Sequence, residues 1–410
     1  MSRTASSQRS AGWRFGPGLL VTAAFIGPGT VTTASRAGTE FGFQLLWTLS
    51  FAIVAAIVLQ EMAARVGLVG RVGLAEAIGN SISNPTARTL ALTMMLIGIV
   101  FGNTAYQTGN LIGAGIGIEA ITGLPSETGA AALGLIISVA IAVGSESPKL
   151  ASLLITIVIA MSVAFVATAV VARPDVSQLA SGIITISMPD NSLLTALALV
   201  GTTVVPYNLF LHATAVQRSW PMEDDLHQAL RASRLDTIAA ITLGGLVTMA
   251  IITTAAATFF QSGAKLENPG QLAEQLQPVL GSTGKYLFAF GLTAAGLTSA
   301  VTAPLAASYV TAGVFPNASP RVAKITAVSI VLVGSSLALV FGKSPLLTIL
   351  VAQAANGLLL PLVAVFLIWV VNRKLIMRDH RNTWQRNLLA GFVVAIACTL
   401  GLKTLAALIW

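Results

Sequence analysis

Charged side chains are scarce in this sequence of 410 residues: Asp, Glu, Lys and Arg together make up 9% of it. A typical soluble domain has roughly 25%. Hydrophobic residues make up 55%, and the mean hydropathy is +0.83. A soluble protein of this length needs far more charge on its surface. The shortage excludes a soluble globular enzyme, a disordered protein and a nucleic-acid-binding protein, and it indicates a multi-pass protein of the lipid bilayer.

Cysteine and histidine are also rare. The single cysteine, Cys398, lies in an apolar run, which excludes a disulfide framework and a cysteine metal site. The sequence shows no nucleophile–base pair, no phosphate-binding loop outside a hydrophobic stretch and no cluster of His, Asp and Glu residues. We therefore expect neither an enzyme nor a bound cofactor. The pI near 10.1 is explained by basic cytoplasmic loops rather than by a nucleic-acid partner.

Long hydrophobic runs dominate what remains. A membrane-spanning helix needs roughly 20 mostly apolar residues, and the runs are too long and too continuous for barrel strands. The sequence predicts an all-α integral membrane protein with about eleven transmembrane helices, at residues 16–35, 43–67, 89–117, 129–144, 149–172, 192–217, 235–260, 284–312, 321–341, 345–371 and 386–408.

The distribution of basic residues predicts the orientation. Most of the 23 Lys and Arg residues fall on the side of the N-terminus when the loops are assigned alternately to the two sides. The positive-inside rule then predicts a multi-pass protein of the plasma membrane with a cytoplasmic N-terminus and an extracytoplasmic C-terminus. The polar segment Pro221–Asp236 is expected to form a helix at the cytoplasmic surface.

Two spans are predicted to be interrupted near their middle. The first contains Gly27-Pro28-Gly29, and the sixth contains Pro206 among polar neighbours. Proline removes a backbone donor and clashes with the preceding turn, so both helices should unwind there. Matched breaks in two halves are a pointer to the central site of a transporter. We therefore predict one transporter domain, 1–410, with inverted repeats of five helices at about 16–172 and 192–371 and an extra helix at about 386–408.

Several motifs resemble one known family. The run 59–67 (LQEMAARVG) is similar to the end of its helix 2, the run 206–212 (PYNLFLH) to a helix 6 motif, and Gln353 followed by Pro361 to its helix 10. On these motifs the chain resembles the natural resistance-associated macrophage protein (NRAMP) divalent-metal transporters. That resemblance implies the leucine-transporter fold of the amino acid/polyamine/organocation superfamily, with helices 1 and 6 broken.

The metal-ligand motifs of that family are altered here. The resemblance implies an Asp and an Asn on helix 1 where this chain has Gly27 and Thr30, and a Met and a His on helix 6 where it has Val205 and Tyr207. The two acids that relay protons on helix 3 of the family correspond to Gln107 and Asn110. A selective transition-metal site needs anionic or sulfur ligands, so these changes argue against one.

The leading expectation from these changes is a secondary transporter of a small polar organic solute that bears a carboxylate or an amide, moved by alternating access. A half-helix N-terminus with no carboxylate nearby favours such a group. The expected substrate-binding residues are Gly27, Gly29, Thr30, Thr202, Thr203, Val205, Tyr207, Asn208, Gln107, Asn110, Gln353 and Asn356. One alternative is weak transport of a divalent cation such as Mg²⁺ or Mn²⁺, and a second is a non-transporting receptor or scaffold.

Coupling to an ion is left open by the sequence. His212 could carry a coupling proton or make an interhelical hydrogen bond. Thr298 and Ser299 on helix 8 correspond to a sodium site in sodium-coupled relatives of the implied fold. Uncoupled transport is a third option, because both of the family's proton-relay acids are missing.

Overall fold

The computed structural model describes residues 26–144, 148–220, 225–263, 266 and 268–409. This part of the chain is almost wholly helical, and it contains no β-strand. The first half of the predicted first span and residues 221–224 of the predicted cytoplasmic segment lie outside the described residues.

The α-helices are numbered here in chain order. They are α1 (Pro28–Phe41), α2 (Leu46–Arg65), α3 (Leu74–Asn80), α4 (Pro85–Thr122), α5 (Ser126–Val143), α6 (Pro148–Val171), α7 (Val176–Ile184), α8 (Leu193–Thr203), α9 (Pro206–Ser219), α10 (Leu226–Ala255), α11 (Gln277–Leu280), α12 (Gly284–Val314), α13 (Pro320–Phe341), α14 (Pro345–Val371), α15 (Lys374–Met377) and α16 (Trp384–Ile409). π-Helical turns at Val66–Gly70 and Ala256–Phe260 extend α2 and α10. A 3₁₀ helix at Pro269–Leu276 precedes α11, and another at Gly281–Thr283 follows it.

Ten helical segments of the described chain are long and apolar enough to cross a membrane. They correspond to the second through eleventh predicted spans, so the all-α membrane architecture is confirmed. The predicted fourth span is α5 (Ser126–Val143). Short helices in the connections were not predicted, because their stability depends on local caps. α7, for example, begins where the Asp175 carboxylate accepts the backbone N–H groups of Ser177 and Gln178.

The two helix breaks have a local cause in proline. α1 begins at Pro28 after a bend at Ile26–Gly27. α8 ends at Thr203 and α9 begins at Pro206, with Val204 and Val205 between them in non-helical conformation. A proline at the first position of a helix loses no hydrogen bond, whereas in mid-helix it would remove one. The predicted interruption of helix 6 is confirmed, and the described half of helix 1 starts at its proline.

Close packing of backbones joins α8 to α14. A Cβ atom placed on Gly201 would lie 2.0 Å from the carbonyl oxygen of Gln353 and 2.5 Å from the backbone nitrogen of Gly357. A Cβ atom on Gly357 would in turn lie 2.7 Å from the carbonyl oxygen of Leu197. Glycine at these positions lets the backbones approach within a distance that no side chain permits. This contact fixes the position of Gln353 relative to the break after α8.

Candidate functional site

The break before α1 lies against α4 and α12. A Cβ atom built on Gly27 would lie 2.8 Å from the hydroxyl of Ser299 and 3.7 Å from Oδ1 of Asn110. Both side chains are fully buried. Neither polar atom of the Asn110 amide has a hydrogen-bond partner in the structure. The structure thus brings three predicted residues, Gly27, Asn110 and Ser299, to one point.

Gln353 lies against the first turn of α1, next to the break. Its Nε2 atom lies 2.2 Å from the position that a Cβ atom on Gly29 would take. The side chain is fully buried, and both its amide oxygen and its amide nitrogen lack partners. An unpaired buried amide typically costs about 1–3 kcal/mol. Such groups are a sign of a bound ligand or an ordered water.

The two broken helices touch through a pair of hydroxyl groups. Thr30 Oγ1 lies 2.8 Å from Thr202 Oγ1, and both side chains are buried. Thr203, the next residue, instead donates its hydroxyl to the carbonyl oxygen of Leu199 in its own helix, at 2.8 Å. Of the two predicted threonines on α8, only Thr202 is therefore seen to link the breaks.

We expect the hydroxyl pair to stabilise the closed arrangement of the breaks. Thr30→Val and Thr202→Val should each lower the free energy of unfolding by about 1 kcal/mol, because each removes the hydrogen bond that joins the two hydroxyls. Combined, they should cost less than the sum of the two single changes. Thermal melting of the purified protein measures this. Thr203→Val is the matched control on the same helix, and purely additive effects of the pair would contradict the coupling.

Three further predicted amides lie buried in the same helices. Gln107 Nε2 donates to the carbonyl oxygen of Ala300 at 3.1 Å, and its Oε1 has no partner. Asn356 Nδ2 and both polar atoms of Asn208 are also unpartnered. Asn356 Oδ1 lies 3.5 Å from the position of a Cβ atom on Gly102, so it lies against α4. Gln107 is bonded to α12 and therefore has a structural role as well.

Aromatic residues complete the surroundings of Ser299. The rings of Tyr106 and Tyr207 meet edge to face, with centroids 5.4 Å apart. The Tyr106 hydroxyl lies against Ser299 and Tyr207. Tyr106 was not predicted, although it adjoins Gln107 and is one of only four tyrosines. Val205, which was predicted, is a fully buried residue in the break before α9.

The residues predicted for ion coupling separate in the structure. Thr298 donates its hydroxyl to the carbonyl oxygen of Ala295 in its own helix, whereas Ser299 faces Gly27. His212 Nδ1 lies 2.9 Å from Gln60 Oε1, an interhelical hydrogen bond, and its Nε2 has no partner. Gln60 was not singled out as a site residue, and only its place in the helix 2 motif pointed to it.

The chemistry of this centre is that of neutral oxygen. Amide and hydroxyl oxygens of Asn110, Gln353, Thr30 and Thr202 lie at the breaks. In the described part of the chain, no group of three or more His, Cys, Asp and Glu side chains could hold a metal ion. An ion here would keep part of its water shell, because uncharged ligands compensate for dehydration poorly.

Comparison with known proteins identifies the family. The sequence profile of the family described as "Natural resistance-associated macrophage protein-like" (Nramp) matches residues 18–407. The chain belongs to the Nramp family.

Relatives of this Nramp protein are named for metal transport. It is 28% identical over 304 residues to the divalent metal cation transporter MntH of Deinococcus radiodurans, covering 73% of this chain and 68% of that protein. It is 25% identical over 397 residues to MntH of Yersinia enterocolitica, covering 96% and 95% respectively.

Solved structures agree with the fold. The Eremococcus coleocola manganese transporter, in complex with an aromatic bis-isothiourea substituted compound, has a TM-score of 0.77 and 20% identity, covering 96% of this chain and 86% of that one. MhsT in complex with L-phenylalanine has a TM-score of 0.58 and 17% identity, covering 98% and 100%. At such identities the likeness shows the leucine-transporter fold alone, as the sequence motifs implied.

The expectation of an organic solute as the transported substrate is wrong. The named relatives are divalent metal cation transporters, and the similar solved structures include a manganese transporter. That expectation assumed that a site without the helix 1 carboxylate can no longer bind a metal ion. The physical reason for the error is that amide, hydroxyl and carbonyl oxygens also bind hard cations, with water completing the shell.

Proposed function

We propose that this Nramp protein is a secondary transporter of a divalent metal cation, bound between the two helix breaks. The observation that carries the proposal is the set of unpaired buried amides, Asn110 and Gln353 above all, that converge on Gly27 and Gly29. Membership of a family whose relatives are named for divalent cations supports the same substrate class.

The ligand chemistry points to hard, partly hydrated cations. Mg²⁺ binds oxygen and usually keeps several waters, and Mn²⁺ accepts the same ligands. A site of neutral oxygens lacks the sulfur and imidazole that favour later transition metals. We therefore propose transport of Mg²⁺ and Mn²⁺ with little discrimination between them.

The arrangement in the membrane is part of the proposal. We propose two inverted repeats of five helices, at about 16–172 and 192–371, with a cytoplasmic N-terminus, as the distribution of basic residues favours. Alternating access would then involve rocking of one group of helices against the other around the breaks.

Uptake into proteoliposomes tests the function. Purified protein is reconstituted with a fluorescent Mg²⁺ indicator inside, or with an indicator quenched by Mn²⁺, and each ion is added outside. Uptake of either ion above that of protein-free liposomes is expected, and no uptake of both would contradict the proposal. Replacing Na⁺ with choline, and varying pH, in the same assay distinguishes coupling to Na⁺, coupling to H⁺ and uncoupled transport.

Removal of the Gln353 amide should impair transport. We expect Gln353→Ala to reduce the initial rate of Mg²⁺ and Mn²⁺ uptake at least tenfold, because it deletes an amide oxygen that is buried against Gly29. The exposed Gln228 on α10 supplies the matched control, Gln228→Ala, which should transport normally. Normal uptake by Gln353→Ala would remove this residue from the site.

A further inference from the structure

Two of the three histidines of the chain meet outside the central site. His227 lies in the first turn of α10, and His380 lies in the segment between α15 and α16. Their ring centroids are 5.8 Å apart and their planes are inclined at 60°. His227 is exposed and His380 is half-buried, so dissolved ions can reach the pair.

The separation of the rings suits a shared metal ion. A zinc–nitrogen bond is about 2.1 Å, and the centre of the imidazole ring lies about 1.1 Å beyond the nitrogen. Two rings bound to one ion at a ligand–metal–ligand angle of roughly 110–130° would therefore have centroids about 5–6 Å apart. The observed distance falls within that range, and the inclination of the planes differs from that of a parallel stack.

Hydrogen bonds hold the backbone at both histidines. The backbone N–H of His227 donates to Oδ1 of Asp225 at 2.9 Å, which is the N-cap bond of α10. The backbone N–H of His380 donates to the carbonyl oxygen of Met377 at 2.7 Å, and its own carbonyl accepts from Arg65 Nη1 at 2.9 Å. The two backbones are thus positioned independently of any contact between the rings.

Both carboxylates and guanidinium groups lie near the two histidines. Arg65 is 3% exposed and pairs with Glu61 at 3.1 Å, and Glu61 also accepts from Arg234 at 3.1 Å. Asp225 lies beside His227, and Asp379 directly precedes His380 in the chain. A divalent ion at the rings therefore has negative charge close to it as well as the guanidinium groups.

We propose that His227 and His380 form a binding site for a late first-row divalent metal, such as Ni²⁺, Co²⁺ or Zn²⁺. Neutral imidazole suits these ions, whereas Mg²⁺ prefers oxygen. In the described residues no third His, Cys, Asp or Glu side chain joins the pair as a ligand, so water completes the shell. The bound ion would join the start of α10 to the segment before α16, which Arg65 and Glu61 already bridge.

Titration of the full-length protein with NiCl₂ tests the site. The protein is purified in detergent through an affinity tag free of histidine, and Ni²⁺ binding is measured by isothermal titration calorimetry. We expect one Ni²⁺ site. Its affinity should fall at least tenfold in the single variant His227→Gln and at least tenfold in the single variant His380→Gln. The control Arg381→Gln changes an exposed residue next to His380 without removing an imidazole, and its affinity should match that of the unaltered protein.

The outcomes separate this site from the transport site. Unchanged Ni²⁺ affinity in both histidine variants, or no Ni²⁺ binding by the unaltered protein, would overturn the proposal and leave a simple ring contact. Because His227 is exposed, His227→Gln decides the matter even if His380→Gln fails to fold. Mg²⁺ uptake is measured in a separate assay. A lack of Mg²⁺ uptake would therefore contradict the proposed transport function without affecting the proposal for the histidine pair.

Discussion

Replacing Asn110 with aspartate is expected to raise the affinity of the central site for Mn²⁺ and Mg²⁺ at least tenfold. Asn110 lies beside the break at Gly27, and both polar atoms of its amide are unpaired. Aspartate has nearly the same shape, so the change adds a negative charge without adding volume. Even at an effective dielectric constant of about 20, a unit charge about 4 Å from a monovalent ion contributes about 4 kcal/mol, and more for a dication. Desolvation of the new carboxylate offsets part of that gain.

Tighter binding should slow release of the cation. We therefore expect Asn110→Asp to bind the ion more strongly in calorimetry and to transport it with a lower maximal rate. Asn103→Asp, the same substitution two turns earlier on α4, is the matched control, because Asn103 donates its amide to the carbonyl oxygen of Ala303 at 2.9 Å. No gain in affinity is expected there. Equal gains in the two variants would show that charge anywhere in α4 suffices, which would contradict the proposed position of the ion.

Gly201→Ala should abolish transport and strongly destabilise the protein. The added methyl group would lie 2.0 Å from the carbonyl oxygen of Gln353 and 2.5 Å from the backbone nitrogen of Gly357. Both atoms belong to the backbone of α14, so rotation of a side chain cannot relieve the overlap. Overpacking a core typically costs 1–3 kcal/mol, and we expect at least about 3 kcal/mol here. Any separation of α8 from α14 would also move Thr202 away from Gln353.

A second glycine supplies the control for that experiment. Gly391 lies in α16, where a Cβ atom would meet no heavy atom within 4 Å. Alanine favours a helix over glycine by about 1 kcal/mol, so Gly391→Ala should melt at the same temperature or higher. Differential scanning fluorimetry and uptake assays compare the two variants. A melting temperature for Gly201→Ala that equals that of the unaltered protein would contradict the tight contact between α8 and α14.

The helix breaks were predictable because their cause is local. Pro28 and Pro206 lack a backbone N–H donor, and this interrupts a helix whatever the residue packs against in the folded protein. The long apolar spans were predictable for the same reason, since lipid requires continuous apolar helix. Boundaries set by caps, such as the start of α7, depend on single side chains and were missed.

Contacts between distant residues could not be predicted from sequence. Thr202 and Thr203 are neighbours of equal chemistry, yet only the former reaches Thr30 and the latter bonds to its own helix. Which hydroxyl faces the break depends on the rotation of α8, which its packing on α14 determines. The expectation of an organic solute was wrong because it depended on the lost anionic ligands, and a sequence does not reveal how amide and hydroxyl oxygens converge in three dimensions.

Gly29 and Gln353 constrain each other's evolution. The Gln353 amide occupies the volume that a Cβ atom at position 29 would need, so a side chain at position 29 requires that amide to move. A lineage that acquires a side chain at position 29 would therefore also have to shorten or redirect the side chain at position 353. Among homologues that share this backbone, positions 29 and 353 should therefore vary together, with glycine at the former accompanying the long amide at the latter.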